Sequence, residues 1–287
     1  MKIGLTQLAP SALETRLHIG QSNNAGHGYV LQKGPGERDL PKLEAVVGFL
    51  MARSSRELAR LVTSLTIRWR SRPNAKAARA NKIFIAGCAR SGTTLTQSIM
   101  NTFEDTFVWK PEARHTKFYL LDCQENNLVI KRASRTFAHL AKLPAGIGLI
   151  YCVRHPLDVL TSMHPQTRKE RRFHTTADRW VLEYDALLSL RKAQPGRDVL
   201  YVRYEDTIAD PDAVQQLIAN RFGLRPRMPA AEGVQGPIHS RSLRKWERNE
   251  EYLAYLQQQL SPAVLAPMHV FCREFGYDMP AWAGSTG

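Results

Sequence analysis

One short stretch, residues 82–98 (KIFIAGCARSGTTLTQS), combines the residue types that bind an anion. Its apolar run Ile83–Ala86 is too short for a helix and suits a buried strand. Gly87 ends that run, and Gly92 follows just before two threonines that open a predicted helix. A glycine-bounded loop at a helix N-terminus directs backbone N–H groups and partial positive charge at an anion. Because Arg90 adds a full charge, we interpret the stretch as a site for a phosphate-like group.

The loop differs from the phosphate loop of nucleoside triphosphatases at one position. The glycine spacing of G-x-x-x-x-G-K-[ST] is present, but Thr93 stands where the lysine belongs. That lysine normally reaches the β and γ phosphates, so an ordinary ATP or GTP site is disfavoured. Two alternatives stay open from the loop alone: a nucleotide or sugar kinase with an altered loop, and a strand–turn–helix joint that binds nothing.

Charge is the unusual feature of the composition. The chain has 287 residues, an ordinary 43% apolar fraction and a formal net charge of +14, which predicts an anionic partner. Residues 1–81 hold 13 Lys/Arg against 5 Asp/Glu, so much of the excess is separable from the rest. Four dispersed cysteines indicate neither zinc nor disulfides, and neither a transmembrane span nor a secretory signal is expected. We therefore predict a cytoplasmic protein.

The N-terminal 80 residues are predicted to be an extension of a domain over 81–280. A polar arm to about residue 40 precedes a helical pattern over 40–66 whose leucines recur at three- and four-residue steps. Arginines become more frequent towards the end of this helical pattern. A basic amphipathic helix can lie on an anionic membrane, bind nucleic acid or present a solvated face. The sequence favours a solvated face with the leucine stripe docked on the main domain, peripheral contact with the inner membrane surface stays open as an alternative, and no nucleic acid partner is expected.

From residue 82 onwards, short apolar runs alternate with helical patterns. Candidate strands cover 83–86, 106–109, 128–130, 148–153 and 199–202, and helices are predicted between them, including 175–193 and 210–222. This alternation predicts an α/β fold of three layers, with a central parallel sheet that begins in a phosphate-loop-like strand–loop–helix unit.

Three further motifs follow predicted strands, where ligands bind in open α/β sheets. The first, RHPLDVLTS, places Ser162 eight residues after Arg154, two turns along a predicted helix, and this pair suits a terminal phosphate. The second, RYEDTIADP, carries Tyr204. The third, SRSLRKW, is a basic loop with Arg241, Lys245 and an aromatic anchor. Taken singly, each is also compatible with an ordinary surface.

In combination, the four motifs resemble the sulfotransferase family, which uses 3′-phosphoadenosine 5′-phosphosulfate (PAPS) as sulfuryl donor. The resemblance covers roughly 82–277 and implies a sulfotransferase-like fold, no metal and adenosine 3′,5′-bisphosphate (PAP) as product. ARSGTT resembles the family's 5′-phosphosulfate loop, RHPLDVLTS its 3′-phosphate signature and SRSLRKW the late loop that closes over that phosphate. The residues it implies for donor binding are Arg90, Ser91, Gly92, Thr93, Thr94, Arg154, Ser162, Tyr204, Arg241 and Lys245.

The resemblance also implies a mechanism, in-line transfer of the sulfuryl group to an acceptor hydroxyl or, less favoured, an amine. Arg90 occupies the position for a cation at the bridging oxygen, and Lys131 matches a position near the transferred group. The resemblance implies that cytosolic small-molecule members carry a histidine, as base, soon after that lysine, but here Arg132, Ala133 and Ser134 follow. The segment WKPEA resembles the arrangement of branches that use a glutamate.

We therefore expect Glu112 to be the base, with His115 and His164 as alternatives. The acceptor is expected to be a small molecule, a lipid-linked compound or a carbohydrate. The alternative function classes are the altered kinase and a basic protein that binds membranes or nucleic acid.

Overall fold

The computed structural model describes residues 55, 57–65, 80–121, 123–164, 167–234 and 242–283. Backbone contacts divide the chain into two units, Met1–Glu57 and Leu58–Gly287, and the site lies in the second. Residues 57–65 are helical, in agreement with part of the pattern predicted over 40–66. The predicted polar arm and Arg241 lie outside the described residues, and the domain boundary near residue 80 stays a prediction.

Five parallel strands form the central sheet, as predicted. They are β1 (Asn81–Gly87), β2 (Thr106–Ala113), β3 (Asn127–Arg132), β4 (Gly148–Val153) and β5 (Val199–Arg203). Their order across the sheet is β2-β3-β1-β4-β5, and every neighbouring pair is parallel. The apolar runs read from the sequence are these strands, although most extend one or more residues beyond the predicted ends.

Helices connect the strands and cover both faces. They are α1 (Thr93–Met100), α2 (Pro156–Leu160), α3 (Ala177–Ala193), α4 (Tyr204–Ala209), α5 (Pro211–Phe222), α6 (Ala230–Gly233), α7 (Glu250–Gln259) and α8 (Pro262–Phe275). Short 3-10 helices cover His115–Tyr119, Ser134–Lys142, Lys245–Arg248 and Ala281–Ala283. No helix in these ranges is both long enough and apolar enough to cross a bilayer.

Each face of the sheet has its own core because successive side chains of a strand point to opposite sides. Phe84 and Ala86 of β1 pack with α3 and α8 residues such as Trp180 and Phe271. Ile83 and Ile85 face the other way, into a core with residues of α1 and α5. Two covered faces require strands that are apolar throughout, which is why β1, β3 and β4 read as continuous hydrophobic runs.

Strand register fixes which residues meet at the carboxyl edge of the sheet. Gly87 at the end of β1 pairs with Cys152 of β4, and Val153 of β4 pairs with Arg203 of β5. The residues after these strand ends, including Arg154 and Tyr204, must therefore emerge beside the glycine loop. Because Ile85 pairs with Lys131, β3 delivers that lysine to the same edge.

The sequence prediction was wrong about the position of Ser162. The helix predicted to carry it, α2, ends at Leu160, so Ser162 lies beyond the helix and not two turns along it. Thr161 adopts a non-helical backbone and its hydroxyl donates to the Leu157 carbonyl. The chain leaves α2 here and folds back, since the His174 N–H donates to the Ser162 carbonyl at 2.9 Å.

Candidate active site

The glycine loop between β1 and α1 adopts the left-handed backbone that an anion cradle requires. Gly87, Arg90 and Gly92 have φ values of 148°, 74° and 98°. Alternation of such residues with ordinary ones turns neighbouring N–H groups into one concavity. Glycine is required at position 92 for a second reason, because a Cβ there would lie 2.7 Å from Cδ2 of Tyr204. The loop is thus packed directly against the start of α4.

Arg90 is held in an uncommon conformation by the second motif. A positive φ is unfavourable for a residue with a long side chain and persists only where its surroundings enforce it. The Arg90 Nε donates to Ser162 Oγ at 2.9 Å, and the Arg90 carbonyl accepts from Arg154 Nη1 at 3.2 Å. The predicted arginine–serine pair therefore contacts the loop arginine itself. Burial lowers the pKa of Arg90, and the charge of Arg154 lowers it further.

Ser91 is turned beneath the loop. Its N–H donates to the Cys88 carbonyl at 3.0 Å, and its hydroxyl would lie 2.6 Å from a Cβ on Gly87. The hydroxyl oxygen is fully buried and has no hydrogen-bond partner among the described residues. Thr93 and Thr94 instead begin α1, at the end of the helix where backbone N–H groups have no intrahelical acceptor. Their side chains line the open part of the site.

Lys131 joins two of the other predicted residues. Its Nζ donates to Thr94 Oγ1 at 3.0 Å and lies 3.5 Å from Glu112 Oε1. Glu112 lies in β2, where the register with β3 shifts between Trp109 and Ala113. An irregularity of this kind re-aims side chains at the end of a strand. It brings the carboxylate of Glu112, whose side chain is 44% exposed, to the ammonium group of Lys131, whose side chain is 10% exposed.

Arg154 organises the opposite side of the site. Its guanidinium lies 4.1 Å from the centroid of the Tyr204 ring, and its Nη2 donates to the Ser242 carbonyl at 2.6 Å. The Tyr204 and Ser242 hydroxyls share a hydrogen bond of 2.8 Å. Arg154 is 4% exposed, yet its Nε has no partner within the described part of the chain. A buried guanidinium nitrogen that is left without an acceptor fits a site that receives an anion.

Asp158 fixes the basic loop from within the RHPLDVLTS motif. Its Oδ2 accepts from the Arg244 N–H at 3.0 Å, and the side chain is completely buried. Trp246 is buried as the predicted aromatic anchor and stacks on His155 at 5.6 Å. The loop also carries Lys245, whose pKa is lowered to about 8, first by burial and then by the charge of Arg154.

A cavity of about 360 Å³ opens beside the loop. His164 and His174 border it, with ring centroids 4.9 Å apart, and the Thr167 hydroxyl lies 3.0 Å from His174 Nδ1. Burial and the neighbouring His164 lower the pKa of His174 to about 4. The residues that line this cavity are Gly87, Ala89, Arg90, Thr93, Thr94, Glu112, Arg132, His164 and His174.

Two of the three candidate bases thus lie at the cavity. The third, His115, contacts the core residue Phe84 edge-on at 6.4 Å. Sequence reasoning missed His174, Ser242 and the role of Asp158. No local pattern marks His174, because it reaches the cavity through the return of the chain after α2. Asp158 could have been found as a carboxylate inside an apolar run next to a basic motif.

Comparison with known proteins agrees with the motifs. Residues 135–227 match the model of a sulfotransferase family. The matched segment contains Arg154, Ser162 and Tyr204, and it starts after the glycine loop and ends before the basic loop. No curated protein matches the sequence significantly.

Solved structures overlap with the chain in part. A mouse sulfotransferase, SULT7A1, complexed with PAP is 18% identical with a TM-score of 0.38, and the match covers 54% of this chain and 63% of that one. A sulfotransferase from Alicyclobacillus acidocaldarius is 13% identical with a TM-score of 0.43, over 71% and 99%. A retinol dehydratase in complex with retinol and PAP is 16% identical with a TM-score of 0.34, over 54% and 63%.

This chain spans under two thirds of the length of the mouse protein and of the retinol dehydratase. The similarity to sulfotransferases therefore comes from the family model over residues 135–227 and from the four sequence motifs. The matched residues 135–227 make up less than half of the chain, and over them the chain is similar to a sulfotransferase family.

Proposed function

We propose that the chain transfers the sulfuryl group of PAPS to a hydroxyl of an acceptor and releases PAP. The observation that carries the proposal is the convergence of Arg90, Arg154 and Lys245 on one edge of the sheet, beside a glycine loop. Arg154 lowers the pKa of Arg90, and both arginines lower the pKa of Lys245, after burial in each case. Such a group of cations is costly unless it serves a polyanionic ligand. PAPS carries anionic groups at both ends of one nucleoside, which suits a site with cations at both ends.

The two sides of the site suit the two ends of this donor. The loop, with Thr93 and Thr94 at the start of α1, would bind the 5′-phosphosulfate through backbone and hydroxyl donors. Arg154 and Lys245, together with Ser162 and Arg241 as the motifs imply, would bind the 3′-phosphate. Tyr204 packs against Gly92 of the loop and against the Arg154 guanidinium, and the resemblance of its motif leads us to assign it a position near the adenine.

For the chemical step we assign Glu112 as base, and Arg90 and Lys131 as the cations. The acceptor oxygen forms a bond to sulfur as the bond from sulfur to the bridging oxygen breaks. The acceptor proton passes to Glu112, and the leaving electron pair remains on the bridging oxygen of PAP. Arg90 stabilises the charge that develops there. The contact of Lys131 with both Thr94 and Glu112 supports a position beside the transferred group.

The acceptor is a hydroxyl compound, and we keep the small-molecule, lipid-linked and carbohydrate classes.

Peripheral membrane contact in the cytoplasm is part of the proposal. Residues 57–65 form a helix on which Leu58, Leu61, Val62 and Leu65 are each more than half exposed. Between residues 51 and 81 the basic residues are Arg53, Arg56, Arg60, Arg68, Arg70, Arg72, Lys76 and Arg79, against a single acidic residue, Glu57. An apolar stripe with basic flanks suits an anionic lipid surface.

We expect the protein to bind PAP in a calorimetric titration without added metal, and Arg154→Ala to weaken that binding by about 2–5 kcal/mol. The loss follows from the removal of a buried charge from its anionic partner. Arg197→Ala is the matched control, because Arg197 also donates to buried loop carbonyls but precedes the amino end of β5, whereas the motifs follow the carboxyl ends of strands. Its PAP affinity should equal that of the wild type.

Mass spectrometry of acceptor extracts incubated with PAPS and the protein should reveal a gain of one sulfuryl group. Turnover of ATP that requires Mg²⁺, without PAP binding, would instead favour the kinase. A wild-type protein that does not bind PAP would contradict the proposed function.

PAP affinity should fall as the pH rises through about 8. Lys245 has a pKa of about 8, so it is charged below that pH and neutral above it, and the anion binds the charged form. The expected loss is about tenfold, the worth of one charge-assisted hydrogen bond. Calorimetry should start above pH 7, because a phosphate itself titrates near pH 6.

Lys245→Arg is the control for this pH dependence, since the pKa of arginine lies above 12. The variant should keep its affinity to about pH 9.5. An equal loss in Lys245→Arg and the wild type would assign the titration to another group.

Glu112→Gln should lower kcat about 100-fold or more with the acceptor found in the extract screen, because the amide cannot take the acceptor proton. PAP affinity should stay near that of the wild type, since Glu112 is not assigned to the donor. His164→Gln tests the alternative base at the same cavity. If His164→Gln loses more activity than Glu112→Gln, the base is the histidine.

The full-length protein should sediment with vesicles of phosphatidylcholine and phosphatidylserine, and less with phosphatidylcholine alone. Leu58→Asp combined with Leu61→Asp should weaken sedimentation about tenfold or more, because two apolar side chains no longer enter the lipid. Leu217→Asp with Val270→Asp is the matched control, since both residues are about half exposed in other helices. Equal sedimentation of the two double variants would argue against membrane contact through this helix.

A further inference from the structure

A buried ionic cluster lies at the base of the glycine loop. Its members are Arg132 at the end of β3 and Arg179 and Glu183 on α3, and we call it the loop-base cluster. None of these residues belongs to the four motifs. Glu183 is almost completely buried within the helix that covers one face of the sheet.

Arg132 connects this cluster to the loop. Its Nη2 donates to the Gly87 carbonyl at 2.7 Å and to Glu183 Oε2 at 2.6 Å. Gly87 is the last residue of β1 and the first residue of the loop with a positive φ. Arg132 therefore determines the orientation of the peptide group at which the strand ends and the loop begins.

Arg179 contacts the other oxygen of the same carboxylate. Its Nε and Nη2 donate to Glu183 Oε1 at 3.0 and 2.7 Å, one helical turn apart on α3. Its guanidinium lies 4.3 Å from the centroid of the Phe137 ring, and its side chain is 31% exposed. Each arginine thus uses one oxygen of Glu183, and they differ in what else they contact.

The charge balance of the loop-base cluster indicates that its two arginines have different roles, one in neutralising Glu183 and the other at the cavity. One arginine is enough to neutralise a buried carboxylate, and Arg179 already makes a two-nitrogen contact with it. The second arginine leaves the cluster with a net positive charge, and Arg132 is the member that lines the cavity. Its planar guanidinium can contact two acceptors at once, which the single ammonium of lysine does less well.

We propose that Arg132 is a positioning residue. Glu183 holds Arg132 against the Gly87 carbonyl, so that Arg132 fixes the first turn of the loop and adds its charge to the cavity. The proposal rests on the proposed function, because it takes the loop to be the site of the donor's 5′-phosphate end.

The test compares two arginine removals that leave Glu183 one partner each. Arg132→Met should weaken PAP binding about tenfold, the value of one hydrogen bond that involves a charged group, since the loop loses its support. Arg179→Met should change PAP affinity by less than about twofold, because Arg132 keeps its contact with Gly87. The two affinities are measured by calorimetry, and the two Tm values show the cost in stability.

Arg132→Lys covers the case in which Arg132→Met does not fold. A lysine can keep the ion pair with Glu183 and not the Gly87 contact, so PAP affinity should still fall while Tm stays within about 5 °C of the wild type. Equal PAP affinities of Arg132→Met and Arg179→Met would overturn the proposal and leave the proposed function standing. If Arg132→Lys binds PAP as the wild type does, the proposal fails in the same way. Failure of the wild type to bind PAP would remove both.

Discussion

Mutual repulsion of one buried and two half-buried cations is the constraint on which the arrangement of this site depends. Arg90, Arg154 and Lys245 lie close enough for one charge to alter the pKa of another. Without compensation, each desolvated charge costs several kcal/mol. The fold compensates with oxygen atoms in fixed places: the Ser162 hydroxyl, the Arg90 and Ser242 carbonyls, and the Asp158 carboxylate nearby.

The carbonyl oxygens used in this way belong to the two loops that the site needs most. Arg154 donates to a carbonyl of the glycine loop and to one of the basic loop, so the loops are joined through the residue between them. A partner with full negative charge at each position would neutralise the cations and weaken any anion site. Carbonyl dipoles and the Ser162 hydroxyl hold the two arginines while leaving the region positive.

Much of this arrangement could be predicted from sequence because the strands are covered on both faces. Continuous apolar runs located β1 and β4, and the parallel order then implied that Arg154 and Tyr204 emerge beside the glycine loop. The family resemblance added Lys131 and Glu112. The bulge that turns Glu112 towards Lys131 could not be predicted, since it depends on how β2 meets β3.

Contacts between segments that are distant in sequence could not be predicted either, because they also depend on how separate elements pack. His174 reaches the cavity because the segment after α2 folds back on Ser162, and the helix predicted to continue through Ser162 ends two residues earlier. Ser242 and Glu183 contact site residues that are 88 and 51 positions away. Local sequence patterns predict where the strands lie, but they carry no information on contacts between residues so far apart in the chain.

The position of Lys131 has a consequence for the missing loop lysine. In a nucleoside triphosphatase, that lysine is attached to the first turn of the helix after the loop, where Thr93 stands here. Here an ammonium group reaches the same turn from β3, through Thr94. A lysine on the helix shares every displacement of its loop, whereas one on a central strand is anchored to the sheet. The distance between the Lys131 ammonium and the glycine loop can therefore change when the loop moves. The full positive charge acts on a bound anion only when the loop lies in the position in which Thr94 contacts Lys131.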